Sequence, residues 1–72
     1  MENLIVQTED KELALANACK ISINTADLVT VIECRRSKKF YVEEGDGGML
    51  RNFESVTAKF NNGKKIYDNA TV

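Results

Sequence analysis

Leu28-Val29-Thr30-Val31-Ile32-Glu33-Cys34, then Arg35-Arg36-Ser37-Lys38-Lys39, then Phe40-Tyr41-Val42-Glu43-Glu44 is the stretch whose reading decides the fold. Val29, Thr30, Val31 and Ile32 are all β-branched, and such side chains suit an extended, pleated backbone better than a helix. The second apolar run follows after a short polar, basic segment. The pattern is that of a β-hairpin with four cations at its tip. With residues 36–38 as the loop, Cys34 faces Phe40 and Ile32 faces Val42. That register gathers those side chains on one face and leaves Val29, Val31, Glu33, Tyr41 and Glu43 on the other. A slip of one residue would exchange the two faces, so burial is expected to select the register.

Upstream, Asn3 to Gln7 reads as a short first strand. Thr8 offers a side-chain oxygen for a helix cap, and Glu9, Asp10 and Glu12 complement the positive end of a helix dipole. Glu12 to Lys20 is rich in Ala and Leu, the strongest helix formers. The spacing predicts a helix over residues 9–20, with Leu15, Ala18 and Cys19 on one face and Leu13 and Ala16 beside them. Ile21 to Asn24 fits either a further helical turn or an extended stretch. Asn24 to Asp27 has turn composition.

Downstream, Gly45-Asp46-Gly47-Gly48 is a flexible turn, and Met49 to Glu54 carries no clear period. Ser55 to Phe60 alternates, with Val56, Ala58 and Phe60 on one side. Asn61-Asn62-Gly63 then precedes Lys64 to Tyr67. A three-residue loop with Gly63 in the left-handed region pairs Ala58 with Ile66. It is preferred here to a two-residue turn, which would set Phe60 against Lys65. Asp68 to Val72 reads as a strand end or a fraying tail.

The element order is strand, helix, hairpin, hairpin within a single domain spanning residues 1–72. One helix must bury its apolar stripe, and a meander with an apolar face needs a cover. The expected class is α+β, one N-terminal helix packed on a four- or five-stranded, mainly antiparallel sheet. The alternative is a small, partly open β-barrel with the helix as its plug.

Composition narrows the function classes. The chain is 43% hydrophobic and 29% charged, which is a globular rather than a disordered profile. No apolar run approaches the roughly 20 residues needed to span a bilayer, and Leu4-Ile5-Val6 is too short for a signal-peptide core. The expectation is a soluble, cytoplasmic protein with no membrane partner. Cys19 and Cys34 fit that compartment as free thiols. Net charge is −1 but unevenly spread: residues 1–34 hold six acids and two bases, residues 35–72 eight bases and five acids.

The sequence contains no His. That removes the commonest general base, the usual zinc ligand and every Ser-His or Cys-His nucleophile arrangement. Two cysteines without His do not complete a four-ligand zinc site in one chain. Glu43, Glu44 and Asp46 form an acidic cluster, but without the alternating ligand spacing of a calcium loop. Gly45 to Gly48 lacks the Lys-Ser/Thr ending of a phosphate-binding loop. No cofactor, metal or enzymatic activity is expected.

Two surfaces remain. Tyr41, Arg51, Phe53 and Tyr67 are amphipathic side chains of the kind enriched at interface hot spots. With Val29 and Val31 they would make an apolar sheet face for a protein partner or a second copy. The leading expectation is therefore a small non-enzymatic protein-binding or regulatory module, of the size of inhibitors carried by phages and mobile elements. The alternative is a nucleic-acid-binding module. Arg35, Arg36, Lys38 and Lys39 would grip phosphates, with neighbouring aromatics as stacking platforms.

Overall fold

The computed structural model describes residues 4–46 and 50–69. The expected strand start at Asn3, the turn residues Gly47 and Gly48, Met49, and the tail from Ala70 to Val72 lie outside the described residues. The order is strand β1 (Leu4–Thr8), helix α1 (Lys11–Thr25), and strands β2 (Leu28–Cys34), β3 (Lys39–Glu44), β4 (Glu54–Asn61) and β5 (Lys64–Asp68). All neighbouring strands are antiparallel, in the spatial order β1-β3-β2-β4-β5. The expected α+β architecture holds, with five strands. The sheet is open, with β1 and β5 at its edges, so the barrel alternative is excluded.

Helix α1 starts later and runs further than its apolar spacing suggests. Asp10, not Thr8, is the cap: its Oδ1 accepts the backbone N–H of Glu12 at 3.0 Å and of Leu13 at 3.3 Å. Thr8 acts one step earlier, its hydroxyl oxygen accepting the Asp10 N–H at 3.1 Å. The undecided residues 21–24 are helical, and Ala26 ends the helix in the left-handed region at φ 53°. The buried stripe is Ala14, Ala18 and Ser22, flanked by half-buried Leu15, Cys19 and Ile21. Leu13 and Ala16 face solvent instead. Small residues at i, i+4 and i+8 let the helix backbone lie close to the sheet.

The β2–β3 register differs from expectation by one residue. Val31 faces Val42, Ile32 faces Tyr41, Glu33 faces Phe40 and Cys34 faces Lys39. The turn is Arg35–Lys38, closed by the Lys38 N–H donating to the Cys34 carbonyl at 2.8 Å with Lys38 at φ 60°. The cause is that β2 is apolar on both faces. Val29 and Val31 are fully buried in the helix-facing core with Val42, Ala58 and Phe60, while Ile32, 2% exposed, belongs to the opposite face. Burial therefore favours neither register, and the turn geometry decides. Val29 and Val31 are removed from the open face to which the apolar pattern assigned them.

The sheet has three register shifts, one between Leu4 and Val6 in β1 and two that involve β4. In β4 the pairs Val31–Ala58 and Ile32–Val56 leave Thr57 as an extra residue. Ala58 and Phe60 thus face the helix while Val56 joins Ile32 on the other side, so the even alternation read along β4 is broken. In β4–β5 the turn is Asn62-Gly63, both at positive φ, with Phe60 opposite Lys65. The two-residue turn set aside above is the one adopted. The expected Ala58–Ile66 pair is replaced by Ala58–Asp68, because Ile66 is the bulged residue.

Strands β3 and β4 both run antiparallel to β2 and flank it, so they are parallel to one another. Their connection must travel the length of β2. It leaves where the Gly45 N–H donates to the Leu28 carbonyl and the Gly45 carbonyl accepts the Thr30 hydroxyl at 2.7 Å. It arrives where the Arg35 N–H donates to the Phe53 carbonyl at 2.8 Å. Asp46 pairs with Lys59 on the way. Thr30 and Lys59 face each other on the side opposite the helix, so Gly45 and Asp46 lie on that side.

Candidate binding surface at the β2–β3 turn

The turn that sets the register also concentrates charge. Arg35, Arg36 and Lys38 are exposed and Lys39 is half-buried. The turn holds no acidic residue, so its cations reinforce one another in the direction of solvent.

The connection from β3 brings an aromatic ring to this turn. Phe53 is 50% exposed, and the Arg36 guanidinium carbon lies 6.0 Å from its ring centroid, at the outer edge of cation–π contact. The bond from the Arg35 N–H to the Phe53 carbonyl fixes the two segments together. Phe53 has φ 71°, a conformation rarely adopted by a bulky side chain. It is the third residue of a turn over 51–54, in which the Arg51 N–H donates to Glu54 Oε1 at 2.8 Å and the Glu54 N–H returns to the Arg51 carbonyl at 3.1 Å. The fold thus holds a solvent-facing phenyl ring in a strained backbone position beside a cluster of cations. Strain of this kind costs about 1–3 kcal/mol and gathers where recognition occurs.

Two further groups adjoin. The Tyr41 hydroxyl and Ser37 Oγ are 3.3 Å apart. Ser37 also serves Cys34: its hydroxyl, with the backbone N–H groups of Ser37 and Arg36, holds the Cys34 thiol below the usual thiol range. Cys34 is half-buried and free, as is Cys19, whose thiol donates to the Gly63 carbonyl at 3.2 Å.

The residues singled out from the sequence are regrouped by the fold. Tyr41 and Phe53 come to the cationic turn of Arg35, Arg36, Lys38 and Lys39. Arg51 is exposed and precedes Phe53 by two residues. Tyr67 is apart: it faces Lys59 on β5, with β4 and β2 between it and Tyr41. Cys34 and Ser37 had no sequence signal beyond their place next to the basic run. The acidic residues disperse, with Asp46 on Lys59 and Glu43 opposite Thr30 on the sheet face away from the helix. Burial pushes the Glu43 carboxyl up, and Glu54 adds to the effect. Among the described residues, no three His, Cys, Asp or Glu side chains are grouped to hold a metal ion, and no helix is long and apolar enough to cross a membrane.

No known family model, curated protein or solved structure matches this chain.

Proposed function

We propose that the protein is a non-enzymatic binding module whose contact surface is the β2–β3 turn end, with Arg35, Arg36, Lys38, Phe53 and Tyr41, and whose partner is anionic. The observation that carries this reading is the placement of the half-exposed Phe53 ring beside the cationic turn, 6.0 Å from the Arg36 guanidinium carbon. Cations supply long-range attraction, and the ring supplies apolar area in a place where water would otherwise be preferred. The absence of His from the sequence supports action by contact rather than by proton transfer.

A second reading keeps the tyrosine-bearing face as a protein contact, in the manner of a small regulator or inhibitor. It is favoured by Tyr67 and Ile66, 38% and 55% exposed on the edge strand β5. It is weakened by the burial of Val29 and Val31 beneath the helix, which shrinks the apolar patch.

The test is charge reversal. Arg35→Glu with Arg36→Glu removes binding to polyglutamate and to oligonucleotides while the circular-dichroism spectrum is kept. Tyr67→Ala leaves that binding intact. Retained binding in the double variant, or loss in Tyr67→Ala, moves the site away from the turn.

A further inference from the structure

Resting on that reading of the turn end, we infer that its partner is single-stranded nucleic acid, held by phosphate contacts from Arg35, Arg36 and Lys38 and by an unpaired base on the exposed part of the Phe53 ring. Four features converge on this chemistry. The cations are exposed and none has an acidic neighbour within the turn. The ring beside them is half exposed, and the Phe53 backbone is tied to the turn through its own carbonyl, which keeps the two segments adjacent. Its backbone sits at φ 71°, where a glycine would be easier, so the ring is retained against local strain. Tyr41, half-buried at the base of the turn and touching Ser37, adds a second aromatic edge.

A protein surface rich in carboxylates would satisfy the cations but has no systematic need for an exposed aromatic plane. A strand with unpaired bases needs both, because every base has a face to stack and every linkage a phosphate to neutralise. A duplex fits less well. A two-stranded ribbon entering a major groove must be slim, and here the chain around Phe53 is bonded to the side of the ribbon tip, which broadens it.

The geometry sets the expected behaviour. About three phosphate contacts give a salt slope near −2 for a single strand, a loss of roughly 20-fold between 50 and 200 mM salt. Loss of one stacking ring lowers affinity by about tenfold or more. The informative substitution is Phe53→Gly, because glycine accepts the positive φ and the fold is expected to survive it.

The experiment is a fluorescence-anisotropy titration with three probes: a labelled oligothymidylate, a labelled duplex of similar length and a labelled polyglutamate. Wild type and Phe53→Gly are compared, with thermal unfolding of both as the control for folding. The inference expects the single strand bound most tightly, and Phe53→Gly weakened about tenfold for that probe while remaining folded. Polyglutamate bound as well as the single strand, with Phe53→Gly unchanged, overturns the inference and leaves the anionic-partner reading standing. Tightest binding to the duplex overturns the inference in the same way. No binding of any probe at low salt overturns both.

Discussion

Ser22 Oγ accepts the backbone N–H of Gly63 at 2.8 Å, tying the β4–β5 turn to the last third of the helix. The same hydroxyl donates to the Cys19 carbonyl at 2.7 Å, and the Cys19 thiol donates to the Gly63 carbonyl. One glycine is thus gripped by both of its backbone polar groups. A Cβ placed on Gly63 would lie 2.5 Å from Ile23 Cγ1, and its φ is +83°. Both space and backbone conformation demand glycine there.

Gly63→Ala is expected to lower stability by about 2 kcal/mol from positive φ and overpacking together. Ile23→Ala in the same chain should recover part of that loss, since it removes the clashing atoms. Ser22→Ala should cost about 1–3 kcal/mol by leaving the Gly63 N–H without its acceptor. Urea unfolding of the four variants checks this, and additive behaviour of the first two would contradict it.

Val31→Ala should destabilise by about 2–3 kcal/mol, because Val31 is fully buried between the helix and β3. Ile66→Ala, at the exposed bulge of β5, should change stability by less than about 0.5 kcal/mol. In the register suggested by the apolar pattern, Val31 would lie on the other face. Equal effects of the two substitutions in urea unfolding would contradict the burial of Val31.

Cys34 should alkylate faster than Cys19 near neutral pH, because its thiol is held low by Ser37 and the turn amides. Ser37→Ala should move the midpoint of the Cys34 alkylation rate to higher pH. Iodoacetamide labelling followed by peptide mass analysis reads both. An unmoved midpoint would mean that the Ser37 hydroxyl plays no part.

Glu43 makes the stability pH-dependent in a definite direction. Burial raises its folded-state pKa above the unfolded value, so the folded protein holds this proton more tightly. The stabilisation is fully present below the unfolded pKa and is lost as pH rises through the folded one. Glu43→Gln should therefore flatten the decline that begins just above the ordinary glutamate range and raise stability at neutral pH. Chemical unfolding across that range measures it, and a parallel profile for the variant would refute it.

Much of the architecture was legible in particular residues. The β-branched run of β2 marks the central strand, and the Ala- and Leu-rich run from Glu12 to Lys20 marks the helix. What stayed hidden has physical causes. β2 is buried on both sides, so hydrophobicity could not choose between Val31 and Ile32 as the helix-facing residue. The bulges at Thr57 and Ile66 leave no compositional trace, yet each reverses a face. The Asn62-Gly63 turn carried its usual two-residue signal, which the pairing of Phe60 with Lys65 made look unfavourable. In the structure the Lys65 ammonium lies 5.9 Å from the Phe60 ring centroid, a contact that accommodates the pair. The cations of the candidate site were plain from the sequence. Their union with Phe53 was not, because it depends on a crossover between parallel strands that only the sheet order reveals.

The most direct test of the turn-end surface is a backbone-amide NMR titration with a short oligothymidylate at low salt. The account predicts shift changes concentrated at residues 34–39, at Tyr41 and at residues 51–54, with Tyr67 and its neighbours on β5 unmoved. Changes centred on Tyr67, with the turn silent, would contradict it.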